Sequence, residues 1–195
     1  MIVTHHLNVG HGDTIIIEFK DTKRLMVIDI NRSSEFDDNT KGELVNEALS
    51  LVDNTYKKFY TLGLYNQKQL FEKASYNIGL TDPVAYIKSL GYTGIFRMIQ
   101  THPHMDHLTG LDSLFTNFSV YNMWCHKNKF DMDESKLSDK QKLDWKRYKK
   151  YRDTTETKLD GTTVVRPFDN SSRDFWNQDK ITVLSPSPAL VKLAQ

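Results

Sequence analysis

Thr101-His102-Pro103-His104-Met105-Asp106-His107 places three of the chain's seven histidines and one carboxylate within a single heptapeptide. The residues before it, Gly94-Ile95-Phe96-Arg97-Met98-Ile99-Gln100, form an apolar run of the kind that builds a buried strand. Those after it, Leu108-Thr109-Gly110-Leu111-Asp112-Ser113-Leu114-Phe115, space their apolar side chains as a short helix does. The cluster therefore lies where a strand gives way to a helix, and several side chains can be aimed at one point. In extended backbone, side chains at i and i+2 share a face. His102 and His104 are expected on one side, with Pro103 keeping His102 extended. Asp106 and His107 come after the turn and converge from a second direction. Neutral imidazoles with a carboxylate are a ligand set for zinc, and iron or manganese suit it too. Two ligand pairs in one loop can hold two metals close together, an arrangement that activates water and stabilises a leaving oxygen.

Working outward, Ile2 to His6 and Thr14 to Phe19 read as two strands, joined through the turn Gly10-His11-Gly12-Asp13. Leu25 to Ile30 is apolar throughout and reads as a third strand, buried on both faces. Asp82 can cap a helix that has Pro83 at its first position and Gly91 as its stop. Val120 to Cys125 reads as the next strand. Two stretches stand apart from this pattern. Residues 32–81 open with a polar loop at 32–39, carry a helical period over Glu43 to Asp53, and then become rich in aromatics. A flap over the site and a satellite packed on the core are both open for them. Residues 127–160 are dense in Lys, Asp and Glu. Within them, Lys140 to Arg152 interleaves Trp145, Tyr148 and Tyr151 with basic residues, which suits either a nucleic-acid contact or a solvated helix with an aromatic edge.

The His-x-His-x-Asp-His pattern at 102–107 resembles the signature of the metallo-β-lactamase superfamily. Leu7-Asn8-Val9-Gly10-His11-Gly12-Asp13-Thr14-Ile15-Ile16-Ile17-Glu18-Phe19 is similar to the opening hairpin of the hydrolase domain of ComEC-type DNA-internalisation competence proteins. Leu25-Met26-Val27-Ile28-Asp29, the helix Pro83 to Gly91, and Ile181-Thr182-Val183-Leu184-Ser185-Pro186 follow in the order of that branch, the last resembling a strand. The resemblance implies an α/β fold, a metallo-β-lactamase-like αββα sandwich. Residues 1–195 supply its N-terminal ββ-α half plus insertions at about 32–81 and 127–160. It also implies further ligands in the second half: a third histidine, and an aspartate in a Gly-Asp pair bridging two metals. After Gly110 the only glycine is Gly161, and it follows Asp160 in the reverse order. The only histidine after the motif is His126. An isolated half would expose the sheet face meant for its mate. The expectation is thus a truncated or split chain completed by a second chain or a C-terminal half, with a divergent compact version as the alternative.

The resemblance assigns His102 and His104 to a first metal, and Asp106 and His107 to a second, zinc being the expected ion. Asp106 also orients the nucleophile. Asp29, at a strand end, is expected to orient an imidazole ligand, or else simply to cap a turn. His11 and Asp13 lie in the hairpin turn that borders the pocket in relatives. His126 follows a strand end, where it could complete a site, touch substrate or face solvent. His5 and His6 are adjacent and face opposite sides of a strand. The reaction implied is hydrolysis of phosphodiesters, in a small molecule or a nucleic acid. The competing reading is a catalytically incomplete half, kept as a binding module or split-enzyme subunit. A redox iron site in the same fold is a third.

Composition sets bounds on these readings. The 195 residues suffice for one domain with a real core. A net charge of +1 argues against a strongly basic nucleic-acid groove. The one cysteine, Cys125, allows no internal disulfide framework, so a reducing, cytoplasmic setting is expected. It follows Trp124 in an apolar run and reads as a core residue rather than a nucleophile. No leader pattern and no run of about 20 apolar residues occurs, so no membrane partner is expected.

Overall fold

A computed structural model describes residues 1–36, 38–76 and 79–194. It is an α/β structure around a mixed sheet of seven strands. The first three strands, β1 (Ile2–His6), β2 (Ile15–Phe19) and β3 (Arg24–Ile28), form an antiparallel meander. β3 then pairs in parallel with a strand that arrives much later, β5 (Arg97–Ile99). Three helices of the first insertion intervene: α1 (Asp38–Leu51), α2 (Asn54–Thr61) and α3 (Gln67–Lys73). So do α4 (Pro83–Ser89) and the short strand β4 (Gly94–Ile95). Asp82 caps α4 by accepting hydrogen bonds from the backbone N–H groups of Val84 and Ala85, as its sequence suggests.

The heptapeptide at 101–107 leads into α5 (Met105–Leu108), and α6 (Leu111–Asn117) follows after Gly110. The expected strand over Val120 to Cys125 is in fact two pieces, β6 (Ser119–Val120) and β7 (Asn122–Trp124). The strand before the heptapeptide is divided in the same way, at Phe96. The early pieces β4 and β6 pair in a small sheet of their own, while β5 and β7 pair in the main sheet. Backbone pairing thus shifts at Phe96 and Tyr121, a break that hydrophobicity alone does not mark. The second insertion supplies α7 (Asp139–Asp153), capped by Ser138 and Gln141, and the chain returns through β8 (Lys158–Leu159) and β9 (Thr162–Val165). Strand order is β1-β2-β3-β5-β7-β9-β8.

Register explains the core. Val27, Met98, Met123 and Val164 stand side by side across the four parallel strands. They pack under Val84 and Ile87 of α4, Leu108 of α5, Leu111 and Leu114 of α6, and Trp145, Tyr148 and Tyr151 of α7. The aromatics of α7 are therefore core residues. They are closed to base stacking, which removes the aromatic support for the nucleic-acid alternative. Cys125 is buried in the same core, and burial pushes its thiol up to about 11.

The other sheet face carries the row Ile15, Ile28, Ile99, Trp124 and Val165. The segment Ile181 to Pro186, expected as a strand, has no regular structure here. It crosses this second face, where Ile181 and Val183 pack with Trp176 of α8 (Asp174–Gln178) onto Trp124 and Val165. Backbone bonds from Asn170 to Val183 O and from Asp169 to Pro186 O also hold it, and a buried ion pair anchors the residue Asp179 just before it. Arg97 Nη1 donates to Asp179 Oδ2 at 2.5 Å, with both side chains almost fully buried, and Thr22 and Arg24 also donate to this carboxylate. The chain ends in α9 (Pro188–Ala194).

The first insertion is a helical satellite. Ala48, Val52, Leu70 and Phe71 form an apolar cluster separate from the sheet's core. Asp37, within the polar stretch expected as a loop, lies outside the described residues, as do Asn77 and Ile78. Among the described residues, no helix is long and apolar enough to cross a membrane.

Burial would raise the Asp179 pKa, but the bonds from Arg97 and Thr22 and the charges of Arg97 outweigh it, and the carboxyl is held below its usual range. Burial by contrast loosens the proton on Arg97, yet leaves it a cation near neutrality. A depressed folded pKa gives stability that is present above the unfolded carboxylate pKa of about 3.9 and is lost as pH falls through the folded value. Asp179→Ala is expected to destabilise the protein by about 3–5 kcal/mol, since it leaves Arg97 buried and unpaired. It should also flatten the acid limb of the stability curve, as read by urea unfolding between pH 3 and 7.

Candidate metal centre

The site forms where β3, β5 and β7 end and where the β1–β2 turn folds over them. Its anchor is Asp29, the residue after β3, held at φ 52°. Its backbone N–H donates to Ile99 O at 2.8 Å, so it continues the pairing with β5 while its side chain turns toward the heptapeptide. Four donors meet that carboxylate. Oδ1 accepts from Gln100 Nε2 at 3.0 Å and from the Thr101 backbone N–H at 2.8 Å. Oδ2 accepts from His107 Nδ1 at 2.9 Å and from the Thr101 hydroxyl.

These bonds fix the histidine tautomers. An ionised carboxylate only accepts, so His107 carries its proton on Nδ1 and leaves the Nε2 lone pair free. The Thr101 hydroxyl spends its one proton on Asp29. His102 Nδ1, 2.9 Å from the same oxygen, must therefore be the donor in that contact. His102 Nε2 is left free as well. Burial and the neighbouring His107 lower the His102 pKa against the pull of Asp29, which keeps the ring neutral. The two rings lie 3.7 Å apart between centroids. Asp29, His102 and His107 each offer a donor atom within 4.8 Å of the others. With its lone pairs already engaged, Asp29 holds the His107 ring through Nδ1.

The remaining candidates take distinct places. Asp106 Oδ2 lies 3.3 Å from His107 Nε2. His104 meets the edge of the His102 ring at 5.1 Å and that of Phe130 at 5.1 Å, and stands outside the three-residue group. His11 Nε2 approaches Asp106 Oδ2 at 3.6 Å, and Asp13 Oδ2 lies 4.0 Å from His107 Nδ1. His126 is half-buried past the end of β7. Neither of its ring nitrogens makes a well-formed hydrogen bond, although the Pro167 backbone lies near enough to favour the protonated ring slightly. Burial and Arg166 together lower its pKa, so it too is neutral.

Several supports escaped sequence reading. Gln100 Nε2 also faces the carbonyls of His102 at 2.9 Å and His107 at 2.8 Å, tying both ends of the loop to Asp29. Its amide must present nitrogen here, because all three neighbours are acceptors. Asn31 Nδ2 donates to Val9 O and His11 O, which pins the hairpin turn. Asp144 of α7 accepts from the backbone N–H groups of Gly110 and Asp112, so the second insertion grips the start of α6. A polar residue before the motif, or an acid in a distant helix, gives no local signal of such a role. Gly12 does: at φ +118°, a Cβ there would lie 2.0 Å from Asp106 O.

No protein-family model matches this chain, and no curated protein matches it. The chemistry of the site therefore rests on its own geometry. Two imidazoles with their Nε2 lone pairs free, beside the Asp106 carboxylate, fit zinc, manganese or iron(II).

Two measurements probe these supports. Asp29→Ala should weaken zinc binding about 10- to 100-fold in calorimetric titration, the usual loss when a ligand's outer partner is removed. Gly12→Ala should cost more than about 1 kcal/mol in chemical denaturation, because the new methyl meets the Asp106 backbone at a left-handed φ.

Proposed function

We propose that the chain is the metal-binding portion of a metal-dependent hydrolase of metallo-β-lactamase type. Its substrates would be phosphodiesters, in a nucleotide-like small molecule or a nucleic acid. The observation that carries this reading is the hydrogen-bond chain His102–Thr101–Asp29–His107, which frees Nε2 on both rings of a His-x-His-x-Asp-His loop. A purely structural polar loop has no need of that tautomer pattern. The strand–loop–helix setting of the motif, the mixed sheet and the opening hairpin against the loop all agree with the resemblance drawn from sequence.

His102, His107 and Asp106 are the residues that would hold the ion, with His104 within reach at the rim. A divalent cation in such a site lowers the pKa of a water molecule and offsets charge on an oxyanion. The protein's own part is positional. Asp29 and Gln100 fix the loop before substrate arrives, so little reorganisation remains for the reaction. The Asp106 side chain is 30% exposed, so its carboxylate would also be able to accept a hydrogen bond from the attacking water and orient it.

A second reading has its own support. Ile15, Ile17, Ile28 and Ile99 on the second sheet face are only partly buried. That favours a subunit or half whose catalytic site is completed by another polypeptide segment.

The deciding experiment is to purify the complete gene product, measure its metal content by mass spectrometry, and assay hydrolysis of bis(p-nitrophenyl) phosphate. The double variant His102→Ala/His104→Ala should lose both metal and activity. Retention of both would refute the proposal. Bound metal without hydrolysis would favour the incomplete-half reading.

A further inference from the structure

We infer that His11 is a metal ligand: the cation held at Asp106 takes one donor from the amino-terminal hairpin. This rests on the metal-binding reading above and carries the ligand set beyond the heptapeptide. Spacing is the first argument. Asp106 Oδ2 lies 3.3 Å from His107 Nε2 and 3.6 Å from His11 Nε2. A charged N–H···O bond is about 2.7–2.9 Å long, so both contacts are too wide for optimised ion pairs. Donors sharing one cation at about 2.0–2.2 Å lie roughly 3–3.5 Å apart, close to both separations. The carboxylate oxygen is thus spaced from each imidazole as coordinating neighbours are.

Backbone design is the second argument. The turn is not merely near the metal loop but pressed onto it. Gly12 has a φ of +118°, and no side chain could occupy its position against Asp106 O. Asn31, itself buried, holds the turn from beneath by donating to the carbonyls of Val9 and His11. Its own N–H is held by the Thr14 hydroxyl at 2.8 Å. This anchorage fixes the backbone on either side of the His11 imidazole, while the ring itself makes no hydrogen bond and stays 69% exposed.

His11 is an exposed turn residue, so its substitutions are expected to leave the fold intact. Metal-free full-length protein, wild type and variants, would first be compared by melting temperature, with equal values expected. Zinc and cobalt(II) are then titrated into each. His11→Ala should bind zinc at least about tenfold more weakly, in line with losses from disturbed ligand shells. His11→Cys should regain binding through its thiolate and show a sulfur-to-cobalt charge-transfer absorption that the wild type lacks. Equal zinc affinity in His11→Ala would overturn the inference. So would weakened binding in His11→Ala with no sulfur band in His11→Cys, because the effect would then be charge near Asp106 rather than ligation. If the wild type binds neither ion, the metal-binding reading itself falls, and this inference with it.

Discussion

The carboxylate of Asp29 organises the histidine loop. It follows the end of strand β3, and its four donors come from three residues, Gln100 and Thr101 at the start of the loop and His107 in α5. A carboxylate has about four lone-pair sites, and here each is engaged. That saturation has two effects. It holds a negative charge in a buried position where an unpaired one would be costly. It also transmits the geometry of the sheet to two imidazoles that would otherwise rotate freely. The positive φ of Asp29 belongs to the same arrangement, because an extended residue would send the side chain across the sheet instead of along it.

Around that centre, unrelated parts of the chain serve the same loop. The hairpin turn approaches from one side because Gly12 has no side chain. The second insertion approaches from the other, with Asp144 receiving the first N–H groups of α6 and Arg147 bonding Asp112. Burial raises the Asp144 pKa against these bonds and against the charge of Arg32, so its placement has an electrostatic cost. The insertion therefore belongs to the architecture of the site and is not an appendage to it.

Sequence reading identified the heptapeptide, the hairpin and the capped α4, because each carries a local chemical signature: ligand spacing, paired glycines, Asp-Pro. It placed Asp29 correctly at a strand end, where apolar β3 gives way to a charge. It failed where the deciding contact is distant. The break at Phe96 and Tyr121 depends on which neighbour each half-strand finds, and nothing in either run announces it. Ile181 to Pro186 resembles a strand in sequence, yet it packs on Trp124, Val165 and Trp176 without joining the sheet, next to the buried pair of Arg97 and Asp179. The grouping of His102 with His107 was equally hidden. Period-two logic puts His102 beside His104, but Asp29 and Thr101 decide which rings share a centre.

The first insertion has a different bearing. Its helices bury Ala48, Val52, Leu70 and Phe71 against one another, with Tyr56 and Tyr65 stacked at 4.4 Å alongside. A segment with its own apolar cluster opens and closes as its own cooperative unit. Its backbone amides should therefore keep a different clock from those of the sheet. In hydrogen exchange, the arm would report its own small opening energy, while Val27 and Met98 report that of the whole molecule. The helices of the insertion pack on one another, apart from the sheet that carries the histidine loop.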